Sequence, residues 1–475
     1  MSDVFLIQLP SPAGKTVFRE WAGGMGTSQP SSRAYAGHDP EYYEIPYFPF
    51  LWIARGLELR NIASRYFDLQ SQQRFDWPEL ERTLRLEQPK VLVTAVNIPS
   101  LTHDLELLAR IKQALPSLRT VVIGPTAKVF PERVLREGRA DLVLDGQEEL
   151  LVPEIVARLL ANELETAREG CWYLDGEAVQ KVPAKQKMKD LNFIDFPAYH
   201  LLDFDRYQSD FFFGKKYRYM TVYTSKGCAY ECVYCPYPFG FGERFIYRSP
   251  DRVVADIERL VKQHGVEQIC FRDQVFTVNK KHTTAICQGL IEKKLDVKWV
   301  CETRYDVVSE ELLTLMQKAG CCEVHYGLES ADPEIFAAVG KPGGPVSLDR
   351  FEETIALTKR LGLRCHLHLI LGLPGESWDS VHRTVAFLKR TRPDSVQTAI
   401  LSPYPGTPLH ETLKAEGKLA STDWERYGGF EAVQPTEHMS VQDLEEAKRF
   451  VAWNWDKSAW DKIKLRAKRY LLGTR

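Results

Sequence analysis

The chain has 475 residues, enough for two or three domains with substantial cores, and its 44% hydrophobic and 27% charged content is ordinary for a globular protein. A formal net charge of −2 leaves no basic footprint for nucleic acid. Ten cysteines, single apart from one trio and the pair Cys321-Cys322, exclude a disulfide framework and fit a reducing cytoplasm. The start Met1-Ser2-Asp3 lacks the basic segment of a signal peptide, and no apolar run approaches the ~20 residues that span a bilayer.

The first third alternates strand and helix. Residues 4–7, 91–95, 120–123 and 142–144 are continuous apolar runs, as strands buried on both faces require, and 46–59, 101–114, 131–137 and 148–160 have helical spacing. This pattern predicts a doubly wound, Rossmann-like parallel sheet over residues 1–160. Ligands on such sheets bind outside the carboxyl ends of the strands, here the loops 96–100, 124–127 and 145–148. Residues 161–215 read as a connector over the mouth of the next domain. From 216 to 408 a strand-then-helix unit repeats about six times, with strands near 220–223, 268–271, 298–301, 323–326, 365–371 and 396–401. Ser249-Pro250, Ser309 and Ser347 mark helix starts. Six such units predict a partial barrel, with chemistry at the carboxyl ends of its strands. Residues 409–475 read as a polar helical tail. Its basic, aromatic end from Trp453 is a solvated helix closing the barrel or, alternatively, a membrane-surface contact.

The strongest chemical signal is the run Ser225-Lys226-Gly227-Cys228-Ala229-Tyr230-Glu231-Cys232-Val233-Tyr234-Cys235-Pro236, on a Gly-started turn after the first barrel strand. Three cysteine ligands on a four-iron cluster leave one iron open to a reactant. A structural zinc site is the competing reading, but it needs a fourth ligand with its own local spacing, and the sequence provides none. The run resembles the C-x-x-x-C-x-x-C cluster loop of the radical S-adenosylmethionine superfamily. The strand-end motifs that follow resemble it too: Asp273-Gln274-Val275-Phe276-Thr277, Glu302-Thr303-Arg304, Tyr326-Gly327-Leu328-Glu329-Ser330, Leu371-Gly372-Leu373-Pro374-Gly375-Glu376 and Pro403-Tyr404-Pro405-Gly406-Thr407-Pro408. The three loops of the first domain are similar to those of the cobalamin-binding domain found in one branch of that family. The match there is partial, with Ile123-Gly124-Pro125 and Gly146-Gln147-Glu148-Glu149 for its second and third loops.

The resemblance implies a 4Fe-4S cluster on Cys228, Cys232 and Cys235, with S-adenosylmethionine on the open iron. It implies contacts to that molecule from Asp273, Arg304, Glu329 and Gly372, and Tyr234 packed near its adenine or beside the cluster. Asn97, Ser100, Gly124, Gly146 and Glu148 would border cobalamin. The expected enzyme is a cobalamin-dependent methyltransferase acting on an unactivated carbon through a 5′-deoxyadenosyl radical, and a ring-forming relative without methyl transfer is the alternative. Expected partners are a small-molecule or lipid substrate and an electron donor such as flavodoxin or ferredoxin, without nucleic acid. For His325, His366 and His368 the sequence leaves two readings open, satisfied core residues or a proton or substrate contact.

Overall fold

In the computed structural model the described residues are 2–30, 45–70, 75–209, 217–339 and 347–455. The first of two seven-stranded sheets contains β1 (Val4–Gln8), β2 (Ser64–Asp68), β3 (Val91–Ala95), β4 (Arg119–Ile123), β5 (Leu142–Leu144), β6 (Cys171–Asp175) and β7 (Ala178–Val182). Its order is β2-β1-β3-β4-β5-β6-β7. Strands β1 to β5 run parallel, and every residue of β1, β3 and β5 is buried. Alternate residues feed two separate cores, Phe5, Ile7, Leu92 and Val122 on one face and Val4, Leu6, Val93 and Val121 on the other. That is the doubly wound arrangement. The helices Leu101–Ala114 and Glu148–Leu160 lie where their spacing predicts. Beyond them, β6 and β7 form an antiparallel hairpin on β5, so this sheet runs past residue 160 into the stretch read as a connector.

The order β2-β1-β3 reverses direction at β1, and a crevice opens outside the carboxyl ends of β1 and β3 at such a switch point. Here a second hairpin lies in that crevice, Lys15–Phe18 paired with Thr27–Pro30 around the turn Ala22–Gly24. The Ile98 N–H donates to Met25 O at 2.9 Å, which ties the turn to the loop after β3.

The second sheet is a curled half-barrel. It contains β8 (Tyr217–Val222), β9 (Gln268–Phe271), β10 (Lys298–Thr303), β11 (Cys321–Glu329), β12 (Arg364–Leu371) and β13 (Ser395–Ile400), all parallel and in that order, with Gln208–Ser209 antiparallel on β8. Ser309 and Ser347 accept hydrogen bonds from the N–H groups of Leu312 and Arg350 as helix caps. Ser249 makes no such bond, and its hydroxyl meets the Asp251 carboxylate instead. The connector is pinned to the barrel by buried Arg248, which pairs with Asp256 at 2.6 Å and donates to the Leu191, Ile194 and Asp195 carbonyls. In the tail, the helix Val441–Asn454 buries Leu444, Ala447 and Val451 in the barrel core. Of the basic segment read as a barrel-closing helix or membrane contact, residues 456–475 lie outside the described residues. The same holds for 210–216 of the connector and barrel entry and 340–346 of the barrel. Among the described residues no helix is long and apolar enough to cross a membrane.

Candidate active site

The cysteine loop leaves β8 through a short antiparallel ladder, Ser225–Lys226 with Ile246–Tyr247. Gly227 then turns at φ +87°, where a Cβ would lie 2.1 Å from Arg244 O, so only glycine fits. The Cys228 N–H donates to Gly242 O (2.9 Å) and the Leu409 N–H to Val233 O (3.0 Å), which ties the loop down at two points, and the Cys235 N–H donates to Cys232 O (3.0 Å) within it. All three thiols are outside disulfides. Burial raises the Cys228 and Cys235 thiols, and Cys235 also responds to the sulfurs of Cys232 and Cys228 close by. Thiols raised by burial are poor nucleophiles, and a metal is what would draw them to thiolate. Yet among the described residues the three-ligand group tight enough for one ion is a set of histidines, not these cysteines. Three such sulfurs, each able to bind a different iron, suit a cubane, and no fourth ligand for zinc is gathered with them among the described residues.

Around this loop the barrel strand ends supply polar groups of two kinds. Glu329 ends β11 just past a register shift, buried, and holds φ +63°. That backbone is strained for a side-chain-bearing residue and typical of a ligand clamp. The Tyr234 hydroxyl hydrogen-bonds it, joining the cysteine loop to the fourth barrel strand. Arg304 forms a two-pronged pair with Asp306 (2.9 and 2.6 Å), lies 4.1 Å over the Tyr230 ring, and keeps its buried Nη1 without a partner. Gly372 turns at φ +85°; the Glu376 carboxyl, raised by burial to about 7, sits against the Gly372 N–H and the Ser380 hydroxyl. Asp273 differs. Fully buried, it accepts from the Thr224 N–H (3.0 Å), Thr224 Oγ1 (2.7 Å) and Ser225 Oγ (2.5 Å). Its carboxylate is committed to holding the base of the cysteine loop, which makes it a positioning group and not an open contact. Glu329, Arg304, Tyr234 and Gly372 suit a ligand carrying an ammonium, a ribose and an adenine.

The strand ends of the first sheet are also more committed than their sequence indicates. Asn97 is fully buried: its amide donates to Arg19 O and Gly24 O, and its Oδ1 accepts from Arg19 at 2.8 Å. Ser100 donates to Asp104, which pairs with Arg19 at 2.9 Å. Both residues thus hold the hairpin 15–30 in place and do not border open space. Gly124, at φ +93°, starts a short helix beneath Tyr47 Oη, and Gly146 packs on Leu151. Glu148 reaches the cysteine loop: Lys226 Nζ lies 3.4 Å from its carboxylate and in direct contact with Glu149, all three buried. Burial opposes charge on Lys226, but Glu149 and Glu148 raise it above its ordinary value, while burial raises Glu148.

A narrow cleft lies at this junction, walled by Glu20, Tyr47, Trp52, Glu149, Tyr223 and Lys226 among others. A corrin is larger than that. The largely apolar walls and small strand-end residues suit one, but the hairpin 15–30 lies in the crevice, and its Gly23 O lies 1.9 Å from where a Gly240 Cβ would be. A corrin at these strand ends would therefore compete with the hairpin for the crevice. Sequence reasoning missed Glu20, Lys226, Glu149 and Tyr223. Lys226 lies inside the quoted motif, and Glu149 beside Glu148; the others carry no local signal.

A family model described as the radical SAM superfamily matches residues 222–388. The chain is 30% identical over 352 residues to the uncharacterized methyltransferase PH0819 of Pyrococcus horikoshii, covering 74% of this chain and 75% of that protein. It is 27% identical over 357 residues to the anaerobic magnesium-protoporphyrin IX monomethyl ester cyclase of Cereibacter sphaeroides, covering 74% of this chain and 57% of that one. The fold is similar, with a TM-score of 0.68 at 16% identity, to the radical S-adenosylmethionine methyltransferase TsrM from Kitasatospora setae, solved with cobalamin and a 4Fe-4S cluster bound, over 88% of this chain and 76% of that one.

Proposed function

The chain belongs to the radical S-adenosylmethionine superfamily, and on that footing we propose that it is a cobalamin-dependent methyltransferase acting on an unactivated carbon of a small-molecule or lipid substrate. The observation that carries this reading is the buried Lys226–Glu148–Glu149 junction, where the cysteine loop of the barrel meets the strand ends of the doubly wound sheet. Two cofactor-bearing edges brought to one cleft are what a two-cofactor reaction needs. When bound, the cluster supplies the electron that splits the sulfonium, and the corrin supplies the methyl group.

The chain's own residues do the positioning. Cys228, Cys232 and Cys235 hold the cluster and leave one iron to S-adenosylmethionine. Glu329, oriented by Tyr234, takes a hydroxyl or ammonium of that molecule. Gly372 lets the backbone approach its adenine, and the unpartnered Arg304 Nη1 offers a donor at the rim. Asp273 keeps the cysteine loop seated against β9. Trp52, Phe48 and Phe241 keep water from the cleft. A reduced flavodoxin or ferredoxin is the electron donor in this reading.

The test is anaerobic turnover of reconstituted protein with methyl-labelled S-adenosylmethionine and a reductant. Release of 5′-deoxyadenosine with label in a product is the expected result. Deoxyadenosine without label transfer would favour ring formation, the reaction in the name of the cyclase relative. No deoxyadenosine at all overturns the reading.

A further inference from the structure

Histidines play no part in the chemistry derived above, yet three of them meet inside the barrel. His325 on β11 and His366 on β12 are register partners, and His368 lies opposite Gly327. Their ring centroids are 4.5, 4.7 and 5.6 Å apart, and one ring nitrogen of each lies within 4.8 Å of the other two. The intervening residues Tyr326, Cys365 and Leu367 pack into the core under the helices, so the alternation of a strand turns the histidines into the lumen. Branched apolar side chains ordinarily fill that place in a barrel.

The rings are held as ligands are held. The Nδ1 of His366 meets Ser395 Oγ at 2.7 Å, which leaves its buried Nε2 facing inward without a partner. Buried His368 Nε2 also has none. The Nε2 of His325 meets Glu323 Oε1 at 2.8 Å, and Arg364 anchors the other oxygen of that carboxylate at 2.7 Å. Second partners of this kind, a carboxylate and a hydroxyl, fix ring orientation in metal-bound imidazoles.

We propose that His325, His366 and His368 form a mononuclear zinc-type metal site in the barrel lumen, separate from the cysteine loop. Three imidazole nitrogens suit zinc and not magnesium or calcium, and a tetrahedral ion would keep a fourth position for water or a substrate oxygen. Bonds of about 2.0–2.1 Å set ligand nitrogens about 3.4 Å apart, so the rings must draw in by a fraction of their present spacing. The site stands or falls independently of the methyl-transfer reading.

The experiment is a zinc titration of anaerobically reconstituted holoprotein against a chromophoric chelator, followed by zinc-edge X-ray absorption. The expected result is one zinc per chain with nitrogen neighbours at about 2.0–2.1 Å. In His366→Gln and His368→Gln, checked by circular dichroism and cluster iron content, affinity should fall more than about 100-fold, beyond the usual loss for an outer partner. No stoichiometric zinc, sulfur neighbours at about 2.3 Å (zinc taken by the cysteine loop), or undiminished affinity in the folded variants would each overturn it. The absorption measurement on the unmodified chain decides the matter even if both variants fail to fold.

Discussion

Glu20 is a carboxylic acid placed where one is costly. It is 4% exposed, and burial raises it to about 7 even though the Phe48 N–H, Arg272, the Tyr223 hydroxyl and Lys226 all pull it down. The unfolded chain would ionise it near 4.5, so between there and pH 7 the folded state holds the extra proton. Its contribution to stability is therefore full below about pH 4.5 and declines as the pH rises to about 7, by roughly 3 kcal/mol in all. Glu376 and Asp256, also raised by burial, act in the same direction. In Glu20→Gln, which retains the acceptor for Phe48, the fall in denaturant midpoint between pH 5 and 7.5 should shrink; an unchanged slope would show that Glu20 ionises as it does in water. Glu329 permits a second measurement. Glu329→Gln removes the charge from a charge-assisted contact, a change of about 10- to 100-fold in affinity for S-adenosylmethionine. Equilibrium dialysis should show that loss with the cluster absorbance unaltered.

Among the elements, what the sequence shows and what it hides divide on one physical ground. Strands buried on both faces must be apolar throughout, so β1, β3, β4 and β5 stand out as runs, while the barrel strands show through the repeat of strand then helix. The edge strand β2, the hairpin β6–β7 and the hairpin 15–30 are half-exposed or polar, and their pairing depends on neighbours far away in the chain. The site divides likewise. The cysteine trio and Glu329 announce themselves through spacing and a strand-end glycine motif. Asn97, Ser100 and Asp273 read as ligand contacts because they are polar at strand ends, but a sequence does not reveal whether such a group is satisfied by a ligand or by the protein. Arg19, Asp104 and Thr224 satisfy them. Two elements meet so closely that one methyl group tests the contact. In Gly240→Ala the Cβ would stand 1.9 Å from Gly23 O, so the helix Tyr237–Phe241 and the hairpin must part. Proteolysis within residues 15–30 should speed up, and an unchanged rate would mean that the two backbones do not touch in solution.

At the scale of the molecule, two sheets turn their carboxyl strand ends toward one another, and the hairpin 15–30 lies between them. It is held on the doubly wound side by Asn97 and the Arg19–Asp104 pair and on the barrel side by Tyr404, whose one hydroxyl proton is shared between Gly26 O at 3.0 Å and Tyr427 O at 3.2 Å. A corrin in that crevice must displace the hairpin, so its apparent affinity is reduced by the cost of breaking those contacts. Two measurements follow from that competition. Adding hydroxocobalamin should speed hydrogen exchange at amides of residues 15–30 while strands β3 and β4 stay protected. Tyr404→Phe, which removes one anchor worth about 1 kcal/mol, should tighten cobalamin binding several-fold although it deletes a hydrogen bond. If cobalamin binds while the hairpin stays protected, and Tyr404→Phe leaves the affinity unchanged, the corrin does not sit at the switch point between β1 and β3, and the cleft beside Lys226 serves the substrate alone.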